Sequence, residues 1–138
     1  MRHDEFLARV RERGEYRDQE EAAHITRAVL EVLGHRITPG EAADLAAQLP
    51  GDLGDVLTAD ADADADADGD RPTDRFGIEE FYRRVGERTG ARPRTAQWDA
   101  SAVLSTLADA VSGGELNQII SQLPSGFAVL FGKADLAD

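Results

Sequence analysis

The sequence predicts an all-α protein: two tandem repeats of a three-to-four-helix unit, packed into one bundle-like domain and joined by an acidic disordered linker. Three observations carry this expectation. One block of the chain recurs in order roughly 75 residues later, apolar residues recur at helical spacing in both copies, and neither half shows a sustained alternating strand pattern bounded by turns. Of the 138 residues, 1–58 are assigned to the first repeat, 59–76 to the linker and 77–138 to the second. A lone unit of about 60 residues would bury a marginal core, so the two units are expected to share one.

The repeat is read from matched residues. Glu5-Phe6-Leu7-Ala8-Arg9-Val10-Arg11-Glu12-Arg13 returns as Glu80-Phe81-Tyr82-Arg83-Arg84-Val85-Gly86-Glu87-Arg88, an offset of 75 with six of nine positions identical. Ala28-Val29-Leu30 and Leu33 return as Ala102-Val103-Leu104 and Leu107, Gly40-Glu41 as Gly114-Glu115, and Gln48-Leu49-Pro50 as Gln122-Leu123-Pro124, now at an offset of 74. One residue is lost between the blocks. Matches in the same order over so long a stretch point to duplication.

Each copy opens on a short helix, with Phe6, Leu7 and Val10 on its apolar face in the first. The second helix is amphipathic: Ala22, Ile25, Val29, Val32, Leu33 and Arg36 follow the i, i+3, i+4, i+7 spacing, as do Ala96, Ala100, Val103, Leu104, Leu107 and Val111. The third helix starts at a capping box, Thr38-Pro39-Gly40-Glu41 or Ser112-Gly113-Gly114-Glu115, in which the hydroxyl accepts from an early backbone N–H and the Glu reaches back to the cap. Pro39 suits the first helical position, where a missing N–H costs nothing. These helices run through Leu45 and Leu49, and through Leu116, Ile119, Ile120 and Leu123, before Pro50 and Pro124 stop them. Leu53, Val56 and Leu57 close the first unit with a shorter apolar segment, and Phe127, Val129, Leu130 and Phe131 close the second.

Between the copies, six Asp and no cation occupy the run from Asp60 to Asp70. Low complexity, like charges and the nearby Gly69 and Pro72 predict a solvated, extended tether. Asp64-Ala65-Asp66-Ala67-Asp68-Gly69 matches the opening of a calcium-binding EF-hand loop, but Arg71 stands where an aliphatic residue belongs and Arg75 where a bidentate Glu belongs. No metal ligand is therefore assigned.

Composition limits function. The net charge is -12, with 27 acidic residues against 15 basic ones, and Lys133 is the sole lysine. Nucleic acid is an improbable partner, because phosphate binding relies on Lys and Arg displacing counterions. Without cysteine there is no disulfide, thiolate nucleophile or cysteine-ligated metal. No apolar run is long enough to span a bilayer, and the N-terminus lacks a signal-like apolar core, so a cytoplasmic protein is expected. The acidic, lysine-poor, alanine-rich composition suits a halophilic cytoplasm, with a GC-rich genome as the other source of the same bias.

No catalytic, cofactor-binding or metal-binding residue is assigned. His24 and His35 lie 11 residues apart, about 16 Å on one helix, too far to share a metal, and none of His3, His24 and His35 has a counterpart in the second copy. The repeated Arg9, Glu12, Arg13 and Arg84, Glu87, Arg88 read as surface or interhelical ion pairs. Gln48 and Gln122 read as braces of the helix end beside them. No hydrolase triad, phosphate loop or dinucleotide motif occurs, so the chain is expected not to be an enzyme.

Together, Asp4-Glu5-Phe6-Leu7-Ala8-Arg9-Val10, Ala28 to Gly34, Gly40 to Pro50 and Ala110 to Glu115 resemble the uncharacterised prokaryotic family DUF2267. The resemblance spans both halves and implies a duplicated all-helical domain found in bacteria and haloarchaea, with no catalytic residues to carry over. The long Asp-Ala linker departs from it, as does Gly77 where a better helix cap is expected. The expected function is a non-catalytic helical module that binds another protein or itself. The alternative is a small-molecule or ion-binding protein, weakly enzymatic at most, with its pocket between the repeats. A large exposed apolar patch favours the first, a polar pocket with convergent charges the second.

Overall fold

A computed structural model describes residues 1–64, 76–90 and 93–132. These form α1 (His3–Gly14), α2 (Gln19–Arg36), α3 (Pro39–Ala46), α4 (Leu53–Asp64), α5 (Ile78–Thr89), α6 (Pro93–Ala110) and α7 (Gly113–Ser121), followed by a 3₁₀ helix, Ser125–Phe131. The described residues contain no strand. The calcium-like motif lies almost wholly outside them, as do linker residues 65–75; Phe76, the last residue assigned to the solvated tether, is instead buried against Phe81 in the core.

The predicted apolar faces are the buried ones. On α2, Ala22, Ile25, Val29, Val32, Leu33 and Arg36 are all buried; on α6, Ala96, Ala100, Val103, Leu104 and Leu107 are buried, and Val111, just past the helix end at Ala110, is partly so. The largest fully buried side chains include Phe6, Phe81, Phe127, Phe131, Leu30, Leu33, Leu104 and Leu107. Burying each stabilises the fold by about 1.5–3 kcal/mol before entropy is counted. Phe81 meets Phe127 edge to face at 5.2 Å, a geometry that places the positive ring edge on the negative face.

Packing crosses between the halves. Helix α1 lies against both α2 and α6, α5 lies against both α6 and α2, and α3 touches α7. Helix α4 packs on α2 and α3, while the 3₁₀ helix packs on α6 and α7. The α2–α4 approach is close enough to require glycine: a Cβ at Gly34 would sit 2.6 Å from the Leu57 carbonyl oxygen.

Four local expectations need correction. Helices α3 and α7 end at Ala46 and Ser121, before Leu49 and Leu123. The residue preceding a proline is disfavoured in the α region, so each helix tightens early, with Leu49 N–H donating to the Ala46 carbonyl and Leu123 N–H to that of Ile120. Helix α4 runs to Asp64, so the first residues of the segment read as an extended tether are helical; alanine, the strongest helix former, alternates with Asp there and prolongs the helix. Val129 is 60% exposed, because a 3₁₀ helix repeats every three residues and turns Val129 outward while Phe127, Leu130 and Phe131 face inward.

Candidate functional site

The charged residues of α1 and α5 reach across to the opposite half. Arg13 bonds Asp109 at 2.5 Å, and its other nitrogen donates to the hydroxyls of Ser105 at 3.3 Å and Thr106 at 3.2 Å. Arg9 sits 3.7 Å from the same Asp109 carboxylate. On α5, Arg88 Nε donates to Glu31 of α2 at 3.0 Å, while Arg83 and Arg84 pair with Glu80 within their own helix. Several of these arginines thus bridge helices, as their spacing predicts.

The α1–α6 and α5–α2 contacts differ in what fills them. Beside α1, Trp98 Nε1 donates to the Gly14 carbonyl at 3.0 Å, and the Tyr16 hydroxyl donates to Asp99 at 2.6 Å. Asp99 is 2% exposed. Burial pushes its carboxyl pKa up, against the opposing hydrogen bond from Tyr16; burial and then Asp99 push the Tyr16 phenol up as well. By sequence offset, Trp98 corresponds to His24 and Asp99 to Ile25. Beside α5, the smaller imidazole leaves space, and an open cleft of about 230 Å³ is lined by His24, Arg27, Ala28, Glu31 and Arg88.

This cleft collects positive charge on an acidic protein. Arg27 projects from the exposed side of α2 and makes no ion pair among the described residues. Arg88 commits Nε to Glu31 and one terminal nitrogen to the Arg84 carbonyl at 3.4 Å. Planar guanidinium groups suit carboxylate and phosphate oxygens, and a neighbouring imidazole adds a further N–H donor. Sequence reasoning set His24 aside and did not consider Arg27. The signal available was the unmatched pair His24 and Trp98, whose size difference opens the cleft.

The other singled-out residues divide. His3 Nε2 lies 3.6 Å from Asp52, away from the cleft. Thr38 and Ser112 cap their helices as expected, accepting from Glu41 N–H at 3.3 Å and Glu115 N–H at 3.2 Å. The glutamates do not complete the boxes. Instead Gln122 Oε1 accepts from Thr38 N–H at 3.0 Å, and Gln48 Oε1 from Ser112 N–H at 2.8 Å. Each glutamine therefore braces the start of the third helix in the opposite half, not the helix end beside it. Glu41 and Glu115 turn inward, 7% and 8% exposed. Among the described residues, no group of three or more His, Asp or Glu is placed to hold a metal, and no helix is long and apolar enough to cross a membrane.

These features define an all-helical domain in which α3 and α7 carry crossed glutamine contacts and a cleft lined by two arginines lies between α2 and α5. The chain belongs to the DUF2267 family, described as an uncharacterized conserved protein, whose model matches residues 3–130. No curated protein matches the sequence.

Proposed function

We propose that the protein is a duplicated, non-catalytic binding module that takes a small anionic metabolite, a carboxylate or phosphate, in the cleft between its two repeats. The observation that carries this reading is the convergence of Arg27, Arg88 and His24 around a cleft of about 230 Å³ in a chain of net charge -12. A cation left without a carboxylate partner, beside a second arginine, is an arrangement that a bound anion would complete. Reciprocal glutamine braces support the duplication. The acidic composition supports a halophilic cytoplasm as the setting.

Association with a protein or with a second copy has weaker support. The large apolar side chains exposed among the described residues are Met1, Trp98 and Val129, from three separate segments, and Trp98 is already tied to Gly14.

The test is calorimetric titration of the full chain with inorganic phosphate and with succinate. One-to-one saturable binding of either is expected, weakened about tenfold or more by Arg27→Gln or Arg88→Gln, as the loss of a charge-assisted pair implies. His24→Trp, which places in the first half the side chain found at the matching position of the second, should block the cleft without unfolding the chain. Absence of saturable heat with both probes, and of any metabolite retained in the native mass spectrum, would remove the reading.

A further inference from the structure

The seam between α3 and α7 holds two buried acids that the cleft does not use. Glu41 and Glu115 occupy matching sequence positions on two helices in contact, are 7% and 8% exposed, and turn their carboxyl groups toward one another. A hydrogen bond between two carboxyl groups requires a proton on one of them. The Oε1 of each is buried without a hydrogen-bond partner among the described residues, so none of those residues donates there to hold a second negative charge. The cap N–H groups that would otherwise donate to these carboxylates donate to Gln122 and Gln48 instead.

The surrounding charges do not help the ionised pair. Within α3 the other acid is Asp44, and α7 carries no titratable residue besides Glu115. The 3₁₀ helix packed on α7 has none. The side chains described on α4 add Asp55, which is exposed. The nearest described cation along the chain, Arg36, directs Nε to the Phe76 carbonyl at 2.7 Å and a terminal nitrogen to the Gln122 carbonyl at 3.2 Å.

We infer that Glu41 and Glu115 form a binding site for one shared proton, and that loss of this proton loosens the α3–α7 seam and with it the contact between the third helices of the two halves. Two buried carboxylates side by side repel, and among the described residues no ion pair offsets the desolvation of either. Burial first, then the hydrogen bond to Glu115 and the charges of Glu115 and Asp44, push the Glu41 carboxyl up to about 7. A carboxyl raised in the folded state binds its proton more tightly there than in the unfolded chain. Its contribution is therefore complete below the unfolded value of about 4.5 and is lost as pH rises through about 7. The pair acts as a latch, closed on the acid side of neutrality and released on the alkaline side.

The experiment uses the full chain with 13C-labelled glutamate. Carboxyl titration by NMR is paired with amide hydrogen exchange at Thr38 and Ser112, whose N–H groups report the crossed glutamine braces directly. A glutamate midpoint near 7 is expected, absent in Glu41→Gln. Protection of both amides, corrected for the intrinsic pH dependence of exchange, should fall about tenfold or more between mildly acidic and mildly alkaline buffer. Glu41→Gln keeps a neutral donor facing Glu115 and should retain protection in alkaline buffer; if that variant does not fold, Glu115→Gln makes the same test from the other side. The response must also survive His35→Gln, which removes the imidazole nearest Glu41 along the chain. Glutamate midpoints all in the ordinary range near 4, protection independent of pH, or loss of the response in His35→Gln would each overturn the inference. Restoration of alkaline protection by magnesium or calcium chloride would also overturn it, since a metal and not a proton would then be the ligand.

Discussion

Glu15 is the one non-glycine residue with positive φ among those described, at 56°, and it terminates α1 in the left-handed region. For an L-residue that conformation costs about 1–2 kcal/mol, because Cβ crowds the following carbonyl oxygen. The matching position at the end of α5 is Gly90, with φ of 77°, where no Cβ exists to crowd. Glycine adds about 0.5–1 kcal/mol of unfolded-state freedom, which offsets part of the gain. Glu15→Gly is therefore expected to stabilise the protein by about 0.5–1 kcal/mol, raising Tm by about 2–4 °C. Thermal melts followed by circular dichroism would show it. An unchanged or lower Tm would mean that the Glu15 side chain contributes an interaction that outweighs the strain.

At the scale of elements, the features legible in the sequence are those set by neighbours along the chain. Thr38 and Ser112 cap their helices because the hydroxyl and the N–H it accepts lie three residues apart, and the buried faces of α2 and α6 follow from 3.6-residue spacing alone. What the sequence concealed depends on helices meeting. Gln48 and Ser112 are 64 residues apart and Gln122 and Thr38 are 84 apart, so nothing local distinguishes a brace across the seam from one on the same helix. The inward turn of Glu41 and Glu115 has the same origin: once glutamines from the other half occupy the cap N–H groups, the capping box has no donor left for its Glu. The cleft was hidden for another reason, since its walls come from α2 and α5 and its volume from one imidazole standing where the other half has an indole. The crossed braces also yield a prediction. Each is a solvent-exposed hydrogen bond, so Gln48→Ala and Gln122→Ala should each cost about 0.5–1 kcal/mol. The double variant should cost about the sum, read as a lower urea midpoint at constant m. If the urea midpoints do not move, the amides are satisfied equally well by water.

For the whole molecule, the deciding quantity is the balance between the ion pairs that join helices and the repulsion among unpaired acids. Arg13–Asp109 and Arg88–Glu31 bridge helices but their side chains are 32–42% exposed, and pairs of that kind contribute about 0–1 kcal/mol each. Against them stands a net charge of -12, of which the six Asp between Asp60 and Asp70 supply half. Raising ionic strength from about 0.1 M to about 1 M shortens the Debye length from about 10 Å to about 3 Å, which weakens both terms but removes more from the longer-range repulsion. The protein should therefore become more stable with salt, Tm rising by at least about 3 °C between those concentrations of sodium chloride. Replacing the six Asp by Ser should raise Tm at low salt and remove about half of the salt-induced gain, in proportion to the charge deleted. A Tm that falls with salt would place the interhelical ion pairs above the repulsion. A gain that persists in full after the six replacements would place the destabilising charge outside the Asp run, where the Glu41–Glu115 seam is the first position to test.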